Sequence, residues 1–301
     1  DMTELEQKAI LSITMMAALA DGNRTEQERG EIEKLAASFA GSKLNVDEIY
    51  HDVLLRKISL PEAAGQLQGA DAKEAAYELA VGACNADGAT NELEKKFLSA
   101  LAQSLNLAPE VVGKYHKEAE AVAQLPVPTG APAGTAPKMS EAEMDDMIRK
   151  AAIVNAALEL MPETLSTLAI IPLQMRMVYR IGQNFGFELD QSYIKDFAGT
   201  LGIGMSSQFL EVVARKILGG VLGGVGRQAA SSGMSFAVTY ALGQVAKKYY
   251  ASGRKIDTVQ LKEIFSKMVA DAGSMKDKYS QEIQSKIAEL KGKSFSDISK
   301  G

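Results

Sequence analysis

Ala17-Ala18-Leu19-Ala20-Asp21-Gly22 is echoed by Ala83-Cys84-Asn85-Ala86-Asp87-Gly88, at an offset of 66 residues. Each copy reads as the end of an alanine-rich helix, a sharp turn at Asp-Gly, and then a new helix start. The offset carries forward, setting Glu26 against Glu92, Glu28 against Glu94 and Ile32 against Leu98. Two helix pairs of one type predict a pseudo-twofold helical bundle.

Working outward from this repeat, helix-start signals recur. A capping box pairs a short polar N-cap with Glu three residues on, so that each satisfies a backbone N–H the helix leaves unbonded. The candidates are Thr3–Glu6, Thr25–Glu28, Asn45–Glu48, Ser59–Glu62, Asp71–Glu74 and Asn91–Glu94. Apolar residues follow at spacings of three and four, as in Ile10, Ile13 and Ala17, and in Ile32, Leu35 and Phe39. About seven helices are expected in residues 3–123, with no strand pattern. The whole chain is rich in Ala, Leu and Met, lacks Trp and has few aromatics, which also favours an all-α fold.

Residues 125–140, LPVPTGAPAGTAPKMS, carry four prolines among Gly, Ala and Thr and cannot continue a helix. They predict a linker between residues 1–124 and 141–270, followed by a Lys/Ser-rich helical tail at 271–301. Charge divides at the same place. Residues 1–124 hold 12 Lys and Arg against 21 Asp and Glu; residues 125–301 hold 21 against 17. The acidic half argues against nucleic acid and for recruitment of a protein partner.

One cysteine, Cys84, excludes an intramolecular disulfide, and two histidines, His51 and His116, leave no set for a His-rich zinc site or a Ser-His-Asp triad. The expectation is a non-enzymatic protein. The first residues lack a basic segment leading into an apolar core, so no secretory signal is visible and a cytoplasmic location is expected.

The paired Ala-Asp-Gly turns, each with Glu seven residues after the Asp, resemble the TerB-like tellurite-resistance family over residues 3–123. The resemblance implies an all-α fold, stress-response or membrane-linked assemblies, and metal binding through acidic residues, here Asp21, Glu28, Asp87 and Glu94. Two readings of the quartet stand. It would hold a hard divalent cation such as calcium through oxygens from two turns. Alternatively, Glu28 and Glu94 are cap residues and the aspartates bond turn amides; neither turn matches an EF-hand loop.

Residues 151–187 are apolar and interrupted by Pro162 and Pro172, and residues 197–246 are apolar and rich in glycine. The run from Met161 to Gly182, the glycines at 219, 220, 223 and 224, and Thr239–Gln244 followed by Lys247-Lys248-Tyr249-Tyr250 resemble the domain of YcjF-like inner-membrane proteins across residues 141–270. That resemblance implies a membrane-associated helical module. The longest uncharged run, residues 228–246, is polar and short for a span. The favoured arrangement buries these helices against one another or lays them on the inner face of a bacterial membrane. In the second case Lys216, Arg227, Lys247 and Lys248 would lie near anionic headgroups. Gly219, Gly220, Gly223 and Gly224 would permit close helix approach within the chain or in a homo-oligomer, or would be loop glycines. The function expected is a membrane-associated adaptor; the alternative is a soluble cation-binding stress-response protein.

Overall fold

Capping boxes and turn chemistry punctuate the chain into helices almost as the spacing predicts. The structure is a computed structural model describing residues 2–22, 24–88, 90–127, 138–222 and 233–298. Among these it is all-helical, with no strand. The helices are α1 (Glu4–Leu19), α2 (Glu26–Ser38), α3 (Val46–Leu54), α4 (Leu60–Gly65), α5 (Ala70–Asn85), α6 (Glu92–Ser104) and α7 (Pro109–Ala123). They continue as α8 (Glu141–Leu160), α9 (Thr164–Asn184), α10 (Gln191–Thr200), α11 (Met205–Leu218), α12 (Met234–Ala251), α13 (Thr258–Lys278), α14 (Ser280–Leu290) and α15 (Phe295–Ile298).

The internal repeat is structural. Adding 66 to the bounds of α1 and α2 gives the bounds of α5 and α6. Full capping boxes start α1, α2, α4, α6 and α8, at Thr3, Thr25, Ser59, Asn91 and Ser140. Asn45 caps α3 from a left-handed conformation, φ 46°, which its short amide side chain tolerates.

The box predicted at Asp71–Glu74 does not form. Helix α5 begins after Gly69, with Asp71 already inside the first turn. Glu6 Oε1 accepts from the Gln68 and Gly69 amides instead, at 3.2 and 3.3 Å. Glu6 therefore closes its own capping box and tethers the chain leading into the repeat-related helix. These amide bonds, the one from Thr3 first, hold its carboxyl below the ordinary carboxylate range.

Packing divides the chain into two compact units: Asp1–Ala123 with Pro162–Leu168 and Gly204–Ala230, and Gln124–Met161 with Ala169–Ile203 and Ser231–Gly301, each taken at its described residues. The expected single cut at 125–140 is thus only part of the division, and residues 128–137 lie outside the described residues. Two segments assigned from sequence to the second module pack in the first unit. The boundary expected at 270 falls inside α13, which runs unbroken from Thr258 to Lys278.

In the first unit α1 and α5 lie side by side as its centre, with Ile10, Leu11, Ile13, Leu79, Ala80 and Val81 fully buried. Helix α11 packs on α1, α2 and α5. In the second unit α12 is the central helix, packed against α8 and α13, and α14 lies on α8. Pro162 sits between helices, as expected, but Pro172 lies inside α9. A prolyl ring removes one helix hydrogen bond; here the flanking Ile170, Ile171 and Met175 are buried, and that burial holds the helix through the defect.

Candidate functional site

Helix α5 is apolar for most of its length, yet it carries Glu74 and Glu78 one turn apart. Helix α7 supplies Lys114, Tyr115 and Glu118, again with a one-turn spacing between charges. With Thr164 these side chains line a cavity of about 490 Å³ in the first unit. Asp71 and Glu163 lie on the same wall, so five carboxyl groups face a single lysine among the described lining residues.

The hydrogen bonds are asymmetric. The Tyr115 hydroxyl donates to Glu74 Oε2 at 2.6 Å, and the Thr164 hydroxyl donates to Glu78 Oε2. Glu78 is only 5% exposed, and its other oxygen, Oε1, is buried with no donor directed at it. Glu118 Oε2, from α7, is in the same condition. The two carboxyls line the same cavity and lie close enough to influence each other's titration. Burial is the main cause of the rise of Glu78 to about 7, opposed by the Thr164 hydroxyl and reinforced by Glu118. Burial also raises Glu118, with Lys114 pulling it back. Tyr115 is pushed up by burial and then by its bond to Glu74.

Sequence reasoning placed Glu74 only in a capping box and did not single out Glu78 or Glu118. A signal was present: Glu78 stands in AAYELAVGAC, a run otherwise free of charge. A charge there is either paid for by a partner or kept for a purpose.

The quartet singled out from the repeat is disposed differently. Glu28 Oε2 accepts from the Thr25 amide at 3.0 Å and Glu94 Oε2 from the Asn91 amide at 2.8 Å, so both are cap residues. Asp21 Oδ1 accepts from the Asn91 side chain at 2.8 Å, which ties the first turn to the second. Asp21 and Asp87 lie near enough to raise Glu94 electrostatically, after the larger effect of burial, while Arg24 opposes them. The cation already embedded among these acids is the buried guanidinium of Arg24, 7% exposed. Among the described residues no group of three or more His, Cys, Asp or Glu has an arrangement that could hold a metal ion.

The residues expected at a membrane or oligomer contact are also redistributed. Lys216 is 1% exposed and its ammonium donates to Ser166 Oγ at 2.8 Å, so it faces the interior rather than headgroups. Lys247 is paired with Asp145 at 2.6 Å and Glu141 at 3.4 Å. Lys248 is exposed. Gly219 caps the C-terminus of α11, and Gly220 follows with φ +68°, so these two end a helix rather than line one. Gly223, Gly224 and Arg227 lie outside the described residues.

The glycines that do allow close helix approach are others. A Cβ on Gly82 of α5 would meet Phe209 Cζ at 2.6 Å, and one on Gly243 of α12 would meet Ile148 Cγ2 at 2.6 Å. No helix among the described residues is long and apolar enough to cross a membrane.

Cys84 is buried in α5, and burial pushes its thiol up, away from the thiolate a nucleophile needs. His116 Nε2 lies 3.0 Å from the Tyr77 hydroxyl, and His51 sits 3.5 Å from Asp47 on its own helix. Neither belongs to a catalytic constellation.

Residues 1–119 match the model of a family described as a protein of unknown function, DUF533. No curated protein and no solved structure matches the chain.

Proposed function

We propose that this chain is a non-enzymatic adaptor whose acidic N-terminal unit recruits a cationic partner. The observation that supports the reading most directly is the acid-walled cavity, in which buried oxygens of Glu78 and Glu118 have no protein donor. A protein that only needed to fold would have paired these groups or replaced them with apolar ones. The excess of carboxylates over residues 1–124 gives the same unit a long-range attraction for positive partners. The resemblance to TerB-like proteins, with their stress-response and membrane-linked settings, fits recruitment. The reading built on a divalent cation at Asp21, Glu28, Asp87 and Glu94 is weaker, because two of the four are committed to helix caps.

Recruitment is tested by fluorescence anisotropy of a labelled Lys/Arg-rich peptide, with a Glu/Asp-rich peptide as control, against the full chain at low and high salt. Selective binding of the basic peptide, weakened by salt, is the expected result. Equal binding of both peptides, or of neither, overturns it. The second unit is proposed to dock on an anionic bilayer or a second copy. Flotation with anionic vesicles and sedimentation velocity address that half, and absence of both flotation and self-association removes it.

A further inference from the structure

Two unpartnered carboxylate oxygens, brought from different helices to one cavity, describe a seat for hydrogen-bond donors carrying positive charge. Resting on the recruitment reading above, we infer that the Glu78–Glu118 pair seats one primary ammonium group.

The stereochemistry argues for an ammonium. Glu78 Oε1 and Glu118 Oε2 are both buried and both lack a donor. Glu74, beside them, is oriented by the Tyr115 hydroxyl. A –NH₃⁺ head carries three donors and can bond both leftover oxygens at once. Behind this head the cavity has apolar wall from Ala75, Leu165 and Leu222, suited to a methylene chain. Its volume of about 490 Å³ accommodates such a chain. A metal ion is a poorer occupant, since no three acidic groups among the described residues are placed to hold one.

Charge balances on binding. In the empty site burial favours keeping a proton on the pair. An R–NH₃⁺ group displaces it to solvent, and both carboxylates then accept from the ammonium. The groups facing Glu78 are Glu74 on its own helix, Lys114, Tyr115 and Glu118 on α7, and Glu163 and Thr164 on the segment beside them. Toward other parts of α5, α7 presents His116 to Tyr77, α1 presents the Ala17 carbonyl to Cys84, and α6 presents Glu94 near Cys84. With Glu78 raised to about 7 by burial, binding should weaken as the pH falls below that value, by about tenfold per unit once the proton must be displaced.

The same chemistry has two sources, a free diamine or a lysine side chain of a protein. The test is titration calorimetry of the full chain at pH 6 and pH 8 with cadaverine and, separately, a capped Gly-Lys-Gly peptide. Each is run in buffers of different ionisation enthalpy to count protons. The expected result is that at least one probe binds, about tenfold more tightly at pH 8, with proton release at pH 6. Which probe binds identifies the source. Choline, which has no N–H, should bind at least tenfold more weakly. Glu78→Gln and Glu118→Gln, checked for folding by circular dichroism, should each abolish the proton release and cost at least tenfold in affinity.

Binding of choline equal to cadaverine, failure of both probes at pH 8, or unchanged proton release in both variants overturns the inference. If the basic peptide used above still binds Glu78→Gln unchanged, recruitment stands and this seat is not its site. If that peptide fails with the wild type while cadaverine binds, the seat stands and recruitment falls.

Discussion

Carboxylates of the second unit are satisfied by neighbours, whereas Glu78 of the first is not. In the second, the half-exposed Asp145 is held by Lys247 and by the Gln244 amide at 3.0 Å, and these bonds outweigh desolvation and draw its carboxyl below the usual range. Glu159, 3% exposed, accepts from the Ser235 amide at 2.9 Å. Beside it a fully buried Thr239 hydroxyl accepts from both Asn155 and Gln174 at 3.0 Å. In the first unit Glu78 and Glu118 line one cavity with oxygens left over. Glu159 and Thr239 help specify a single packing, whereas Glu78 and Glu118 are kept poised at a cost in stability. Sites that break a local rule without local compensation are where function is sought.

The sharpest way to break this contrast is Glu78→Gln. The folded chain raises this carboxyl from the ordinary 4.5 to about 7. Between those values the fold retains a proton that the unfolded chain has released, so stability falls as pH rises through that window and stays lower above it. Because Glu78 is almost wholly buried, the loss amounts to about 3 kcal/mol. Urea unfolding should show the variant more stable than wild type by up to that amount at pH 8, with little difference at pH 4. A destabilised variant at pH 8 would mean that the carboxylate is structurally paired after all.

Thr239→Val makes the opposite test in the second unit. It keeps the shape and removes the acceptor of two buried amide bonds, and should destabilise by about 2 kcal/mol in the same assay at any pH. A neutral outcome would erase the distinction between the units.

The close glycines come next. Gly82→Ala and Gly243→Ala place a methyl against Phe209 and Ile148, respectively. Each should cost about 1–3 kcal/mol, seen as a lower Tm by calorimetry. Gly30→Ala in α2, with nothing within 4 Å, should be neutral or stabilise by up to about 1 kcal/mol.

The smallest effects belong to the caps. Thr25→Ala and Asn91→Ala should each cost about 1 kcal/mol. The Asn91 variant should be the larger, because Asn91 also donates to Asp21. Amide exchange in the first turns of α2 and α6 would read this out directly.

What the amino-acid sequence determined by itself is local. Helix starts follow from side chains reaching backbone amides three residues away, and the 66-residue repeat maps onto identical helix bounds because the same short-range interactions recur. The all-α class follows in the same way. The failures are long-range. Gly69 rather than Asp71 starts α5 because Glu6, more than sixty residues earlier, reaches its amide. Lys216 looked like a charge beside an apolar run and is an interior residue, because α11 packs in the first unit.

The redistribution of acidic residues has the same origin. Asp21, Glu28 and Glu94 share a sequence motif but serve as helix caps and an inter-turn tie, whereas Glu78 and Glu118, 40 residues apart with no shared motif, come from two helices to one cavity. Periodicity states which face of a helix is apolar. Which helix covers that face, and so which charges are stripped of water and left facing one another, is decided only when the tertiary packing sets desolvation against pairing.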